Sequence, residues 1–181
     1  MTKTCLLADV PSAIPERHRV PAHLARRLHQ ICVGVSAEVI EPAGMTPGEY
    51  GLLAAVDDRP GLDQRRLAAA LGIDVVSVGQ MIDRLEAAGW VERRMDPQDR
   101  RVRLLNATAE GSAVRARLRP ATLQAQERIM SVLSREEQAL FLDLLTRVVE
   151  GNQSYARPGN GRRRPQRRTE PQDNASQQAL A

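Results

Sequence analysis

The stretch G-W-V-E-R-R-M-D-P-Q-D-R-R-V-R-L-L-N-A-T-A-E-G, from Gly89 to Gly111, decides how the chain is read. Its pattern predicts two short strands, over 90–94 and 102–106, joined by a tight turn that Pro97 starts. Arg93, Arg94, Arg100, Arg101 and Arg103 crowd around Asp96 and Asp99. A basic hairpin that follows a helix-turn-helix pattern has the chemistry to grip phosphates and reach into a groove. The expected fold is mainly α with a small β-hairpin wing, a winged helix-turn-helix.

Working backwards, two helices are expected over about 63–71 and 75–88, joined by Gly72-Ile73-Asp74 with Asp74 as N-cap. In the second, Val78, Met81, Ile82 and Leu85 form the inward stripe. Val75, Val76, Ser77, Gln80 and Arg84 are left facing outward. Gly89 supplies its left-handed C-terminal cap. Before these, Thr46-Pro47 with Glu49 reads as a capping box opening a helix whose apolar face is Tyr50, Leu53, Ala54 and Val56. It ends at Arg59-Pro60-Gly61.

Longer helices flank this centre. Over 19–41, Leu24, Leu28, Ile31, Val35 and Val39 recur at spacings of three and four, a heptad-like seam. After the hairpin, Thr108 caps a helix running towards Ser131, with a kink or break expected at Pro120. Ser134 to Glu137 opens a last helix with Leu140, Phe141, Leu144, Leu145 and Val148 on its apolar face. Together the helices over 19–41 and 110–150 carry more apolar surface than the winged core (about 46–110) can cover. A two-fold dimer buries such seams, and it sets two recognition helices about one DNA turn apart. A monomer with both ends folded back is the competing arrangement. The domain thus spans 19–150, after a loose segment over 1–18 and before a disordered Arg-rich tail over 151–181.

Composition sets the bounds. Apolar residues make up 42% of 181 residues, with one Phe, one Trp and two Tyr, which favours a Leu/Val/Ile/Ala helical core. Two cysteines, Cys5 and Cys32, cannot make a secreted-type disulfide framework. No apolar run nears the roughly 20 residues that cross a bilayer. The first residues lack a signal-peptide pattern, so a cytoplasmic protein without membrane association is expected. The net charge is +4, yet residues 151–181 hold six arginines against two acids, and the first 150 balance at 20 basic and 20 acidic. DNA affinity in the folded part must therefore come from local clusters.

The segments L-D-Q-R-R-L-A-A-A-L-G-I-D, V-G-Q-M-I-D-R-L-E-A-A-G-W-V-E-R-R and D-P-Q-D-R-R-V-R-L-L-N-A-T-A-E-G resemble the MarR family of bacterial transcriptional regulators. The likeness runs from about residue 19 to 150 and is most specific from 62 to 111. It implies a homodimeric winged-helix repressor on a palindromic operator, often released by a small aromatic or phenolic ligand. It also implies that Arg101 enters the minor groove, with Asp99 paired to it and fixing its aim. The expected DNA-binding set is Gln64, Val75, Val76, Ser77, Gln80, Arg84, Arg94, Asp99, Arg100 and Arg101. Ser77 and Gln80 would hydrogen-bond bases, the valines would meet thymine methyls, and Arg84 and Gln64 would hold phosphates. Where relatives carry polar residues, this helix begins with Val75 and Val76, so the wing is expected to take a larger share of binding.

Other chemistry is thin. His18, His23 and His29 do not share one helix face, so no metal site is expected. Cys32 reads as a small buried hydrophobe, too far along its helix to match the peroxide-sensing cysteine of some family members. No catalytic constellation or cofactor motif stands out, and an enzyme is not expected. If an effector binds where the family places it, Arg26, His29 and Tyr50 would receive an anionic or phenolic compound. A constitutive or architectural DNA-binding protein with no effector is the alternative, and a protein-interaction module a third. The tail would add nonspecific DNA affinity or none.

Overall fold

The computed structural model describes residues 20–156. The expected loose segment, Cys5, His18 and the tail arginines lie outside the described residues. Helix α1 spans Pro21–Ile40 and leads through a short 3-10 turn at Glu41–Ala43 to α2, Pro47–Asp58. Strand β1, Leu62–Asp63, precedes α3 (Gln64–Leu71) and α4 (Val75–Ala87). The hairpin is β2, Val91–Met95, and β3, Arg103–Ala107. Helices α5, Ala109–Met130, and α6, Arg135–Gly151, complete the fold.

Every helix start foreseen from a cap is present. The Thr46 hydroxyl accepts from the Glu49 amide while the Glu49 carboxylate accepts from the Thr46 amide, and Ser134 and Glu137 repeat the arrangement on α6. Asp74 accepts from the Ser77 amide at 2.8 Å. Such caps satisfy donors that the helix itself leaves unpaired. Gly89, at φ +75°, turns the chain out of α4 in the left-handed conformation expected of it.

The core forms where α2 meets the helix-turn-helix and the sheet. Leu52, Leu53 and Val56 of α2 pack with Leu67, Val78, Ile82, Leu85, Val91, Leu105 and Val114, all sealed from solvent. Each such side chain contributes about 1.5–3 kcal/mol through burial. Leu52 is a correction to the expected α2 face. This helix touches α3, α4 and β3 as well as α1 and α5, so it buries a wider arc than one stripe. Strand β1 was also not foreseen. It pairs antiparallel with β3 (Leu62 with Leu105, Asp63 with Leu104), making β3 the centre of a three-stranded sheet.

Helix α5 runs as one continuous helix through Pro120, which overturns the break, though not the kink, expected there. Pro120 is exposed, and α5 lies along α1, held by Arg128 to Glu38 at 2.5 Å and by Gln126 to Ser36 at 3.4 Å. Packing against α1, α2 and β3 carries the helix past one missing donor. The chain also stays regular past Gly151, with a 3-10 turn at Gln153–Tyr155 inside the stretch expected to be disordered.

Close approach fixes one glycine. A Cβ at residue 111 would stand 2.0 Å from the Trp90 carbonyl oxygen, which accepts from the Thr108 amide at 3.0 Å. The start of α5 therefore sits directly on the root of the wing.

The terminal helices keep their apolar faces uncovered within one chain. Leu24, Ile31 and Val33 of α1 are exposed, as are Leu140, Leu142, Leu144, Leu145, Val148 and Val149 of α6. No residue of α6 is buried.

Candidate nucleic-acid interface

Helix α4 presents its first two turns outward. Val76 is 71% exposed and Val75 42%, with Gln80 exposed and Ser77 half-buried, while Val78, Met81, Ile82 and Leu85 anchor the opposite face. At its N-terminus the Asp74 carboxyl is held below its usual range, first by the Ser77 hydroxyl and then by the Ser77 amide. Asp74 thus puts a negative charge where a bare helix end would attract phosphate.

Two expected phosphate contacts are engaged within the protein. Gln64 Nε2 donates to the Val75 carbonyl at 2.8 Å. Its amide lies over Gly79, 2.7 Å from where a Cβ there would stand. Gln64 is therefore a strut across the helix-turn-helix rather than a free surface amide. Arg84 Nε donates to Glu49 Oε1, tying α4 to the first turn of α2. Burial pushes the Glu49 carboxyl up, but the Thr46 amide and hydroxyl together with Arg84 outweigh it and hold the group below its ordinary value. The outer part of Arg84 stays exposed, so the pair still leaves cationic surface beside α4.

The wing's arginines divide in two. Arg93, expected in the basic turn, points back instead and donates to Asp83, at 2.5 Å, and to Glu86, both on α4. Burial draws the Arg93 guanidinium down, yet the two carboxylates more than offset this and raise it above its ordinary value. It joins wing to recognition helix and cancels acidic charge on the helix flank. Arg94 points to the other face and pairs with Glu92 at 2.5 Å, still largely exposed.

At the tip, Asp96 accepts from the Gln98 amide at 2.8 Å and Asp99 from the Arg101 amide at 3.0 Å. This corrects the expected Asp99–Arg101 pairing, because the contact is to backbone rather than guanidinium. A short carboxylate two residues ahead bonds the turn backbone more readily than it reaches a long side chain. The Asp96 amide also donates to the Val102 carbonyl at 3.1 Å, and the Val102 amide to the Asp99 carbonyl at 2.9 Å. Both acids are spent on shaping the turn, and Arg100 and Arg101 are exposed at its tip.

The expected effector residues lie on two helices. Arg26 and His29 are exposed on α1, while Tyr50 on α2 is half-buried, with its hydroxyl 3.2 Å from Thr122 Oγ1 on α5. Behind them, Arg115 of α5 clasps Asp57 at 2.5 Å and Asp58 at 2.7 Å at the end of α2, and Ser112 donates to Asp57 at 2.6 Å. The Ser112 hydroxyl first, and Arg115 next, hold the Asp57 carboxyl below its usual range. This clasp was not foreseen, since its members lie 55 or more residues apart. His23 is exposed and Cys32 is a half-buried free thiol. No helix among the described residues is long and apolar enough to cross a membrane.

A helix-turn-helix followed by a basic hairpin, flanked by long helices, defines a winged-helix DNA-binding protein. The MarR family model matches residues 43–102. A putative transcriptional regulatory protein for the hcr operon of Thauera aromatica is 34% identical over 105 residues, 58% of this chain and 63% of its own length. The chain thus spans just under two thirds of that relative. The PcaV transcriptional regulator of Streptomyces coelicolor, in complex with its natural ligand, is 34% identical with a TM-score of 0.63, covering 72% of this chain and 92% of PcaV. Bordetella bronchiseptica BpsR, whose DNA binding is regulated by 6-hydroxynicotinic acid, is 26% identical with a TM-score of 0.68, covering 72% and 94%. The chain belongs to the MarR family and is a transcriptional regulator of that type.

Proposed function

We propose that the protein is a homodimeric repressor that holds a palindromic operator and releases it when a small aromatic or anionic ligand binds. The observation that carries the DNA-binding part is the Arg93 link, which makes one unit of an outward-facing recognition helix and a wing tipped by Arg100 and Arg101. In this reading α4 enters the major groove with Val75, Val76, Ser77 and Gln80. Arg101 enters the minor groove, and Arg84, Arg94 and Arg100 face phosphates. Gln64 and Asp99 act from behind by holding backbone.

The uncovered apolar faces of α1 and α6 support the dimer, because leaving so many Leu and Val side chains in water is costly and a two-fold partner covers them. Ligand release is supported by BpsR and PcaV, with Arg26, His29 and Tyr50 as the effector residues on this chain.

Footprinting on a duplex selected from a randomised pool tests the reading, together with sedimentation of the free protein. Expected are a dimer and two protected half-sites about one helical turn apart, lost when a panel of aromatic carboxylates and phenols is added. A monomeric protein, or protection that no compound relieves, would overturn the corresponding part.

A further inference from the structure

Resting on the DNA-binding reading above, we propose that α4 selects its operator mainly by thymine C5-methyl groups, with Val76 the specificity-determining residue and Val75 beside it. Three polar side chains around this helix are held within the protein. Gln64 is bonded to the Val75 carbonyl, Arg84 to Glu49, and Arg93 to Asp83 and Glu86. The Ser77 amide is given to Asp74, and the Asp74 carboxylate closes the helix end to phosphate.

Val76, meanwhile, has 71% of its surface in water and takes no part in the core. A β-branched residue lowers helix propensity, so at an exposed position in the first turn it weakens α4 and buries nothing in return. The major groove offers such a side chain one apolar partner, the thymine methyl. Gln80, exposed one turn further on, remains to hydrogen-bond a neighbouring base.

The test uses the full-length chain and the duplex it selects from a randomised pool. Each thymidine in turn is replaced by deoxyuridine, which removes the methyl and leaves base pairing intact. Affinity is read by fluorescence anisotropy at fixed salt. The wild type should lose about three- to tenfold at one or two positions per half-site. Val76→Ala, an exposed change to a better helix former, should be weaker on the thymidine duplex and nearly indifferent to deoxyuridine at one of those positions. Val75→Ala should lose its discrimination at the neighbouring one. Uracil tolerated within twofold everywhere, or a uracil penalty of equal size in the wild type and both variants, would overturn the proposal. A protein that selects no consensus at all overturns the operator reading itself, and this inference with it.

Discussion

Gln64 and Gly79 occupy one another's space across the helix-turn-helix. The Gln64 amide lies where a side chain at 79 would begin, and from there it reaches the Val75 carbonyl at 2.8 Å. A glycine inside α4 weakens the helix by about 1 kcal/mol relative to alanine, so this approach is retained against a local cost.

Gly79→Ala should therefore separate stability from binding. The gain in helix propensity offsets the lost Gln64 hydrogen bond, each about 1 kcal/mol, and thermal denaturation should show little change. Operator affinity should fall about three- to tenfold as the first turn of α4 loses its strut. Unchanged affinity in the folded variant would show that Gln64 does not position the helix.

Arg93 and Arg101 should behave as different kinds of arginine. Arg101→Ala should leave denaturation within about 0.5 kcal/mol of wild type while weakening operator binding and reducing the salt slope by about one. Arg93→Ala leaves Asp83 and Glu86 without their cation, and should both lower stability and weaken binding. If Arg93→Ala were as stable as wild type, the link between wing and helix would be ornamental.

Gly111→Ala should damage the fold itself. The added methyl meets backbone at 2.0 Å, and the Trp90 carbonyl cannot swing aside as a side chain can. A loss above about 2 kcal/mol in urea denaturation is expected, in the range of overpacked cores.

The Arg115 clasp gives a pH dependence with a defined sign. The folded Asp57 carboxyl sits below its usual value, so it stabilises the fold fully above the unfolded value of about 3.9. That contribution fades as pH falls through the lower folded value. Asp57→Asn should lower the melting temperature at pH 7 by about 3–12 °C, for a charged hydrogen bond worth about 1.5–3 kcal/mol. The gap to wild type should narrow as the pH is taken from 5 towards 3. An equal gap across that range would mean that the clasp does not depend on the Asp57 charge.

What was legible in the sequence follows from how local each signal is. Capping residues lie within four positions of what they cap, so Thr46, Asp74, Thr108 and Ser134 placed their helices correctly. The stripe Val78, Met81, Ile82 and Leu85 repeats at the helical period and was equally plain. Strand β1 is two residues long and owes its existence to β3, more than forty positions on, so no periodicity announces it. Arg93 was within reach. It shares the period-two face of buried Val91, which turns it towards the core side, away from Arg94. The Arg84–Glu49 and Arg115–Asp57 pairs were not, because charge alone does not say which distant acid an arginine meets.

The recognition helix is moored at its start by Gln64 and Asp74 and further along by Glu49 and Arg93. Residues 76 and 80, lying between those moorings, are exposed and make no contribution to the core. On the operator reading proposed above, substitutions there leave the scaffold intact, so a gene duplicate would acquire a new set of target promoters through one or two codons. On the same reading, those two positions are the ones to change when retargeting the protein to a DNA sequence of choice.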